Sequence, residues 1–193
     1  MNSITPLRIA WWCWIALLTV WFIAAPFTHR SRSKEGRLRR LVHTIPFGLA
    51  IYLLLTMRRH LFGYSRLYGT DWDNWIVYPA LLTTLAGCLF AVWARVHLGR
   101  YWSGIITLKE GHKLITTGPY RIVRHPIYTG WLAAALGTAL TAGTSVGFLC
   151  VALLTISFVI KLRREEKLLT SEFGDEYRRF KQTVPKALIP YVC

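Results

Sequence analysis

Of the 193 residues in the chain, 53% are hydrophobic and only 17% are charged, which is more apolar surface than one soluble core of this size can bury. The composition therefore excludes an ordinary soluble domain and predicts a membrane protein. The formal charge of +15 does not indicate nucleic acid, because the basic residues lie between the apolar runs rather than along one amphipathic face. Anionic lipid or an anionic ligand is the expected partner.

The apolar runs predict an all-α, polytopic membrane fold in which five helices cross the bilayer. A crossing takes about 20 residues, and the run 127–160 is too long for one crossing. Because its middle reads TALTAGTSVG, a cluster of small residues compatible with a turn, we divide it into a tight helical hairpin. The predicted spans are 9–27, 41–57, 75–98, 127–140 and 145–160. No linker is long enough for a second domain, so residues 1–193 are predicted to form one domain.

Aromatic and basic residues predict how the spans are placed. The tryptophans of the first span that suit the membrane interface are Trp11, Trp12, Trp14 and Trp21. Near the end of the third span, Arg95 and His97 are predicted to extend to the interface. The loop after the first span is strongly basic, with Arg30, Arg32, Lys34, Arg37, Arg39 and Arg40.

The positive-inside rule makes this basic loop cytoplasmic, which places the amino terminus outside. Segment 99–126 and the tail from Lys161 then both face the cytoplasm. The chain carries no organelle signal, so the expected location is the plasma (inner) membrane.

The tail is predicted to form an amphipathic helix on the cytoplasmic side that packs back against the membrane mouth. Its apolar residues recur at near-helical spacing: Leu162, Leu168, Leu169 and Phe173. Gly174 offers a break, after which Tyr177 and Phe180 can continue the apolar face until Pro185 stops the helix.

The segment 118–130, GPYRIVRHPIYTG, is dense in polar and ring-bearing side chains and leads directly into an apolar run. It therefore predicts a polar site at the bilayer surface. The chain has no Gly-x-Gly-x-x-Gly, no Walker loop, no His-Glu-x-x-His and no cysteine pair at metal spacing, so we expect no metal. The candidate residues are His112, Lys113, Leu114, Ile115, Tyr120, Arg121, Arg124, His125, Pro126, Ile127, Tyr128, Lys161, Arg163, Arg164, Glu165 and Glu166.

These residue types match the parts of S-adenosylmethionine, which are a sulfonium, a carboxylate, a ribose and a base. Tyrosine faces attract a sulfonium, arginine or histidine can hold a carboxylate, and a glutamate can take ribose hydroxyls or an ammonium group. Pro119 and Pro126 fix backbone dihedrals on either side of the arginines, which lowers the entropy cost of ordering this loop around a ligand.

Each candidate alone also has a plainer interpretation. Arg124 can contact a lipid phosphate, His125 can cap the following helix, and Tyr128 can belong to an interfacial aromatic belt. Glu165 and Glu166 can form intrahelical pairs with the basic residues around them. Their co-occurrence is what favours a ligand site.

Two runs carry a resemblance to a known family: LGRYWSGIITLKEGHKLITTGPYRIVRHPIYTG and, after the hairpin, RREEKLLTSEFGDEYRRF. Together they resemble the isoprenylcysteine carboxyl methyltransferase family and, more loosely, the phospholipid N-methyltransferases. The His-x-Leu, Gly-Pro-Tyr, Arg-His-Pro-x-Tyr, Glu-Glu and Phe-Gly-x-Glu-Tyr elements come in the family's order over about residues 98–185. The resemblance implies a membrane enzyme that methylates a lipid or lipid-linked carboxyl group with S-adenosylmethionine.

The resemblance also implies roles for individual residues. Those that would bind the cofactor are His112, Lys113, Leu114, Ile115, Tyr120, His125, Pro126, Ile127, Tyr128 and Glu165. Those that would lie near the substrate or take part in catalysis are Arg124, Lys161, Arg164 and Glu166. Lys161 stands where the family has an arginine, and it can neutralise a carboxylate without making a bidentate fork. Glu166 is the acid that could take a proton from an ammonium nucleophile.

Two other functions remain open at this stage. A membrane NADPH-dependent reductase of the steroid reductase type has a related helical arrangement, but holding a nicotinamide and two phosphate groups would call for more basic side chains and a longer tail. A non-catalytic protein that binds lipid or a partner through its basic loops would depend on total charge rather than on His125 or Glu165.

Overall fold

The computed structural model describes residues 5–29, 36–56, 67–69, 71, 73–108, 111 and 113–188, with only the backbone at 37–39 and 54–56. Over this part of the chain the fold is helical and has no strand, which confirms the all-α prediction. The helices are α1 (Pro6–Ala24), α2 (Arg37–Thr56), α3 (Val77–Leu98), α4 (Pro126–Ala142), α5 (Ser145–Phe173) and α6 (Asp175–Thr183). Two short 3-10 helices, Gly99–Tyr101 and Gly118–Arg121, lie between α3 and α4.

Three helical segments of the described chain are long and apolar enough to cross a membrane. They are Pro6–Ala24, Val77–Tyr101 and Ser145–Phe173, and a shorter apolar helix covers Arg40–Leu53. Large apolar side chains point away from the bundle, with Trp12 66% exposed and Phe22 76% exposed. Soluble monomers rarely expose such a continuous apolar surface, so lipid is the environment that fits it.

Glycines allow α3 and α4 to pack with their backbones in contact. A Cβ atom on Gly87 would lie 2.4 Å from the Ala134 nitrogen, and one on Gly130 would lie 2.6 Å from the Ala91 nitrogen. Gly137 is equally crowded by α3. Side chains do not fit at such distances, so only glycine permits this approach. The small residues of α4 therefore pack directly on the backbone of α3.

Trp14 of α1 lies inside the bundle. It is 3% exposed, its Nε1 donates a hydrogen bond to Thr138 Oγ1 at 2.9 Å, and its ring meets the Trp131 ring edge-on at 5.3 Å. The interfacial placement predicted for it is therefore wrong, because this face of α1 packs on α4. Trp12, on the opposite side of α1, faces outward.

The last predicted span and the tail helix form one continuous helix. The prediction ended the span at residue 160, but α5 runs unbroken for 29 residues, Ser145–Phe173. No glycine or proline interrupts the chain between Ile160 and Gly174, so nothing breaks the helix there. At Gly174 the backbone adopts φ +49°, and α6 begins at Asp175, which confirms the predicted break. The candidate residues of the tail are thus held by the same helix that crosses the core.

Candidate active site

A cavity of about 920 Å³, its open mouth included, lies between the end of α3, the start of α4, the second half of α5 and α6. Its wall is mostly apolar and aromatic with a few polar groups, which is typical of a small-molecule site. The predicted cofactor residues that line it are Lys113, Leu114, Ile115, Tyr120, His125, Ile127, Tyr128 and Glu165. The predicted substrate-side residues that line it are Arg124 and Lys161.

Six of the candidate residues are not part of this described wall, among them Arg121 and Arg163, to which no cofactor or substrate role was assigned. His112 lies outside the described residues. Pro126 is buried at the first position of α4. Arg164 and Glu166 lie on other faces of α5, because the cavity side of that helix is formed by Lys161, Glu165, Leu168 and Leu169 at spacings of three and four residues.

The Gly-Pro-Tyr element places the Tyr120 ring at the cavity. Gly118 adopts φ +58°, and a Cβ there would lie 2.7 Å from the His97 ring, so a larger residue is excluded on both counts. His97 Nε2 lies 2.8 Å from Thr117 Oγ1, and the His97 ring stacks on the Tyr120 ring with centroids 6.3 Å apart. Burial, together with the nearby Glu165 carboxylate, raises the pKa of Tyr120 well above its usual value. Tyr120 therefore offers a neutral hydroxyl and a ring face.

Glu165 presents a carboxylate on the cavity wall. The Tyr128 hydroxyl lies 2.8 Å from both carboxylate oxygens, to which it donates. Lys161 Nζ lies 3.9 Å from Glu165 Oε1 and 5.4 Å from the centre of the Tyr128 ring. The His125 ring stacks on the Tyr128 ring with centroids 5.6 Å apart and an interplanar angle of 6°. The Glu165 carboxylate and the Lys161 ammonium group therefore lie side by side, next to the stacked rings of His125 and Tyr128.

Glu166, the next residue, is the centre of a separate polar cluster. Its Oε1 accepts from Arg124 Nε at 2.7 Å and lies 3.3 Å from His125 Nε2, while Lys181 Nζ lies 3.1 Å from Oε2. Only 13% of the Glu166 side chain is exposed. Burial, reinforced by this carboxylate, raises the pKa of Tyr177, so that hydroxyl stays protonated. The cluster ties the loop before α4 to both α5 and α6.

The same loop also holds the tail that follows α6. The Arg124 guanidinium donates to the Val184 carbonyl at 2.8 Å, and the His125 backbone N–H donates to the Ala187 carbonyl at 2.9 Å. Because α6 contributes Tyr177 and Phe180 to the cavity wall, these bonds fix that side of the cavity.

One wall of the cavity lies within the segment 99–130 that was predicted as a cofactor-binding region, but none of its residues was assigned individually from sequence. It follows the end of α3 and consists of Tyr101, Trp102, Ser103, Ile105 and Thr107. The available signal was the aromatic pair at 101–102, placed directly after an apolar span and before Gly104. The apolar face of α6 was predicted, but its contact with the cavity depends on the turn at Gly174.

Comparison with known proteins finds one family that resembles part of this chain. The model of the isoprenylcysteine carboxyl methyltransferase (ICMT) family matches residues 80–171. Protein-S-isoprenylcysteine O-methyltransferase of Schizosaccharomyces pombe is 37% identical over 98 residues, which is 49% of this chain and 42% of the yeast protein. Protein-S-isoprenylcysteine O-methyltransferase B of Arabidopsis thaliana is 27% identical over 187 residues, which is 91% of this chain and 93% of the plant protein.

A bacterial relative has a different name. Methanethiol S-methyltransferase 1 of Bradyrhizobium diazoefficiens is 34% identical over 128 residues, which is 58% of this chain and 44% of that protein. This chain thus spans less than half the length of the yeast and bacterial relatives and nearly all of the plant one. The segment matched by the family model holds most of α3, all of α4 and the part of α5 that carries Glu165. Over this segment the chain is similar to the isoprenylcysteine carboxyl methyltransferase family.

Proposed function

We propose that this protein is a membrane methyltransferase that uses S-adenosylmethionine to methylate a carboxylate on a lipid or prenylated, lipid-linked acceptor. The observation that carries this proposal is the meeting of Tyr120, Tyr128 and Glu165, from three elements, on one apolar cavity. The methyltransferase names of the relatives support it. The order of these residues along the chain is the one that the family resemblance implies.

The residues of the cavity fit S-adenosylmethionine. This cofactor supplies a methyl group already activated by the sulfonium charge. The ring of Tyr120 suits that charge, and the Glu165 carboxylate, held by the Tyr128 hydroxyl, suits an ammonium or ribose hydroxyls. Leu114 and Ile115 add an apolar surface for the base.

The cations of the wall favour an anionic acceptor over an amine. Lys161 Nζ, which donates to the Gly104 carbonyl at 3.0 Å, would attract a carboxylate and repel an ammonium. Glu166, the acid that an amine acceptor would need as a base, is occupied by Arg124 and Lys181 away from the described cavity wall. A carboxylate needs no base, so the chain would contribute mainly position and the exclusion of water.

The membrane topology is part of the proposal. We infer five crossings, in which α2 and α4 join the three long apolar helices, with the amino terminus outside and the cavity facing the cytoplasm. Tight burial of α4 against α3 lets it cross as an inner helix despite its 17 residues. The whole chain would then be one domain in the plasma (inner) membrane, with the lipid part of the acceptor entering between helices.

Isothermal titration tests the cofactor site. S-adenosylmethionine and its demethylated product would be titrated into detergent-purified wild type, Glu165→Gln and the control Glu176→Gln, whose side chain is exposed on α6. We expect saturable binding near one per chain in wild type and control. Glu165→Gln keeps the shape but removes the charge, and we expect binding about tenfold to a hundredfold weaker.

The acceptor needs a second assay on the same protein. A prenylcysteine analogue, methanethiol and phosphatidylethanolamine vesicles would be compared as acceptors of a labelled methyl group. Methylation of the prenylcysteine analogue alone supports the carboxylate proposal, whereas methylation of either other acceptor replaces it. Saturable binding of NADPH with no binding of S-adenosylmethionine would remove the methyltransferase proposal altogether.

A further inference from the structure

Arg95 is a charged residue buried inside a candidate membrane span. Its side chain is 2% exposed, so the predicted extension to the interface is wrong. A charge in such a place is costly unless it is well bound, and ionisable residues within membrane segments commonly serve function. Arg95 does not line the cavity, so any function must act through its partners.

The partners of Arg95 join the end of the first helix to the end of the third. One terminal nitrogen donates to the Ala24 carbonyl, the last residue of α1, at 2.7 Å, and the other donates to the Gly99 carbonyl at 3.0 Å. Carbonyls at a helix end lack helical partners and carry partial negative charge, so a guanidinium satisfies them well. One guanidinium thus hydrogen-bonds carbonyls at the ends of two helices, α1 and α3.

The guanidinium also lies over the Trp102 ring, with its carbon 4.4 Å from the ring centre. Trp102 is part of the cavity wall that follows α3. The Trp21 ring of α1 meets the Trp102 ring edge-on, with the two ring centroids 6.1 Å apart. The wall is therefore attached to α1 through Arg95 and to α5 through the bond from Lys161 to Gly104.

We propose that Arg95 is a positioning residue that holds Trp102, and with it residues 100–107, in place for ligand binding. The fork of the guanidinium is essential, because its two terminal nitrogens bond two carbonyls while its carbon lies over the Trp102 ring. A lysine keeps the charge but can reproduce only part of this. The inference rests on the proposed function only for the identity of the ligand.

Hydrogen exchange measured by mass spectrometry tests the attachment without any ligand. We expect Arg95→Met to raise exchange in residues 100–107 by about tenfold, and Arg95→Lys by about threefold, because local opening becomes easier. The control is Trp14→Phe, which removes an equally buried bond from α1 but touches no residue of the wall. It should leave exchange of 100–107 unchanged. Equal exchange in wild type and Arg95→Met would overturn the proposal, and so would full rescue by lysine.

A double-mutant cycle tests whether Arg95 acts through Trp102. We expect Arg95→Met and Trp102→Leu each to raise KM or the dissociation constant about tenfold with little change in kcat, and the double variant to be no worse than either single one. Additive effects would contradict the proposal. Should Arg95→Met not fold, Arg95→Lys with Trp102→Leu gives the same cycle at smaller amplitude. If wild type binds no S-adenosylmethionine, the proposed function fails, while the exchange experiment still decides the role of Arg95.

Discussion

The α3–α4 contact and the Glu166 cluster hold the same helix, α4, by opposite means. Along α3 the attachment is made by shape, since Gly87 and Gly130 bring two backbones together. At its start α4 is attached by charge, since Arg124 and His125 meet the Glu166 carboxylate. In lipid there is no hydrophobic driving force for apolar helices to associate, so close packing must hold α3 and α4 together. At the polar end of α4, ion pairs can hold the helix instead. The α3–α4 contact should therefore be destabilised by added side-chain volume, and the Glu166 cluster by the removal of a charge.

The largest effect is expected from Gly130→Leu in the α3–α4 contact. Even a Cβ would lie 2.6 Å from the Gly87 carbonyl oxygen and the Ala91 nitrogen, and backbone atoms cannot move aside as side chains do. We expect no folded, monodisperse protein in detergent, as judged by gel filtration and thermal unfolding. Folded Gly130→Leu protein that keeps ligand binding would show that the helices are not packed as described.

Gly48→Ala is the matched control, because it also adds carbon to a helical glycine. A Cβ at Gly48 of α2 meets nothing within 4 Å. Alanine favours a helix over glycine by about 1 kcal/mol, so the variant should be as stable as wild type or slightly more stable. A loss of stability there would mean that glycine-to-larger changes are harmful in this protein regardless of packing.

A smaller but still large effect is expected from Glu166→Ala in the polar cluster. Arg124, whose side chain is 8% exposed, would keep its charge without the carboxylate. Breaking such a buried pair costs about 3 kcal/mol of the free energy of unfolding, which equilibrium unfolding in mixed micelles would measure. Glu165→Gln should do the reverse, with ligand binding weakened about tenfold to a hundredfold and the free energy of unfolding nearly unchanged. If both variants changed only binding, Glu166 would belong to the cavity after all.

The sequence predicts these two regions to different extents. The small residues in α4 and the break at Gly174 are local signals, and the structure agrees with both. The candidate residues could be collected by motif because they lie in two short segments. The motifs do not show that neighbouring Glu165 and Glu166 have different partners. Glu165 bonds Tyr128 at the cavity and Glu166 bonds Arg124 outside it, and this difference depends on the rotation of α5 about its axis.

Long-range partners explain the remaining differences. Arg95 bonds a carbonyl at position 24, and Glu166 meets position 181 beyond the turn at Gly174, so neither pairing leaves a local pattern. Trp14 was misplaced because α1 is apolar on every side, and such a helix does not show which face meets protein and which meets lipid.

The smallest effect is expected at the exposed edge of the cluster, where Lys181→Met sharpens the comparison between buried and exposed charge. Lys181 lies 3.1 Å from Glu166 Oε2 but is 41% exposed, so water and salt screen it, and we expect a loss of about 0.5 to 1 kcal/mol in the free energy of unfolding that shrinks in high salt. Arg178→Met is the control, because its pair with Asp175 at 2.6 Å lies in solvent and should change nothing measurable. On these figures the buried Arg124 pair contributes about three to six times as much to the free energy of unfolding as the exposed Lys181 pair. An equal loss for Lys181→Met and Glu166→Ala would instead locate the strength of the cluster in the bond between α5 and α6, and α4 would then be held mainly by its contact with α3.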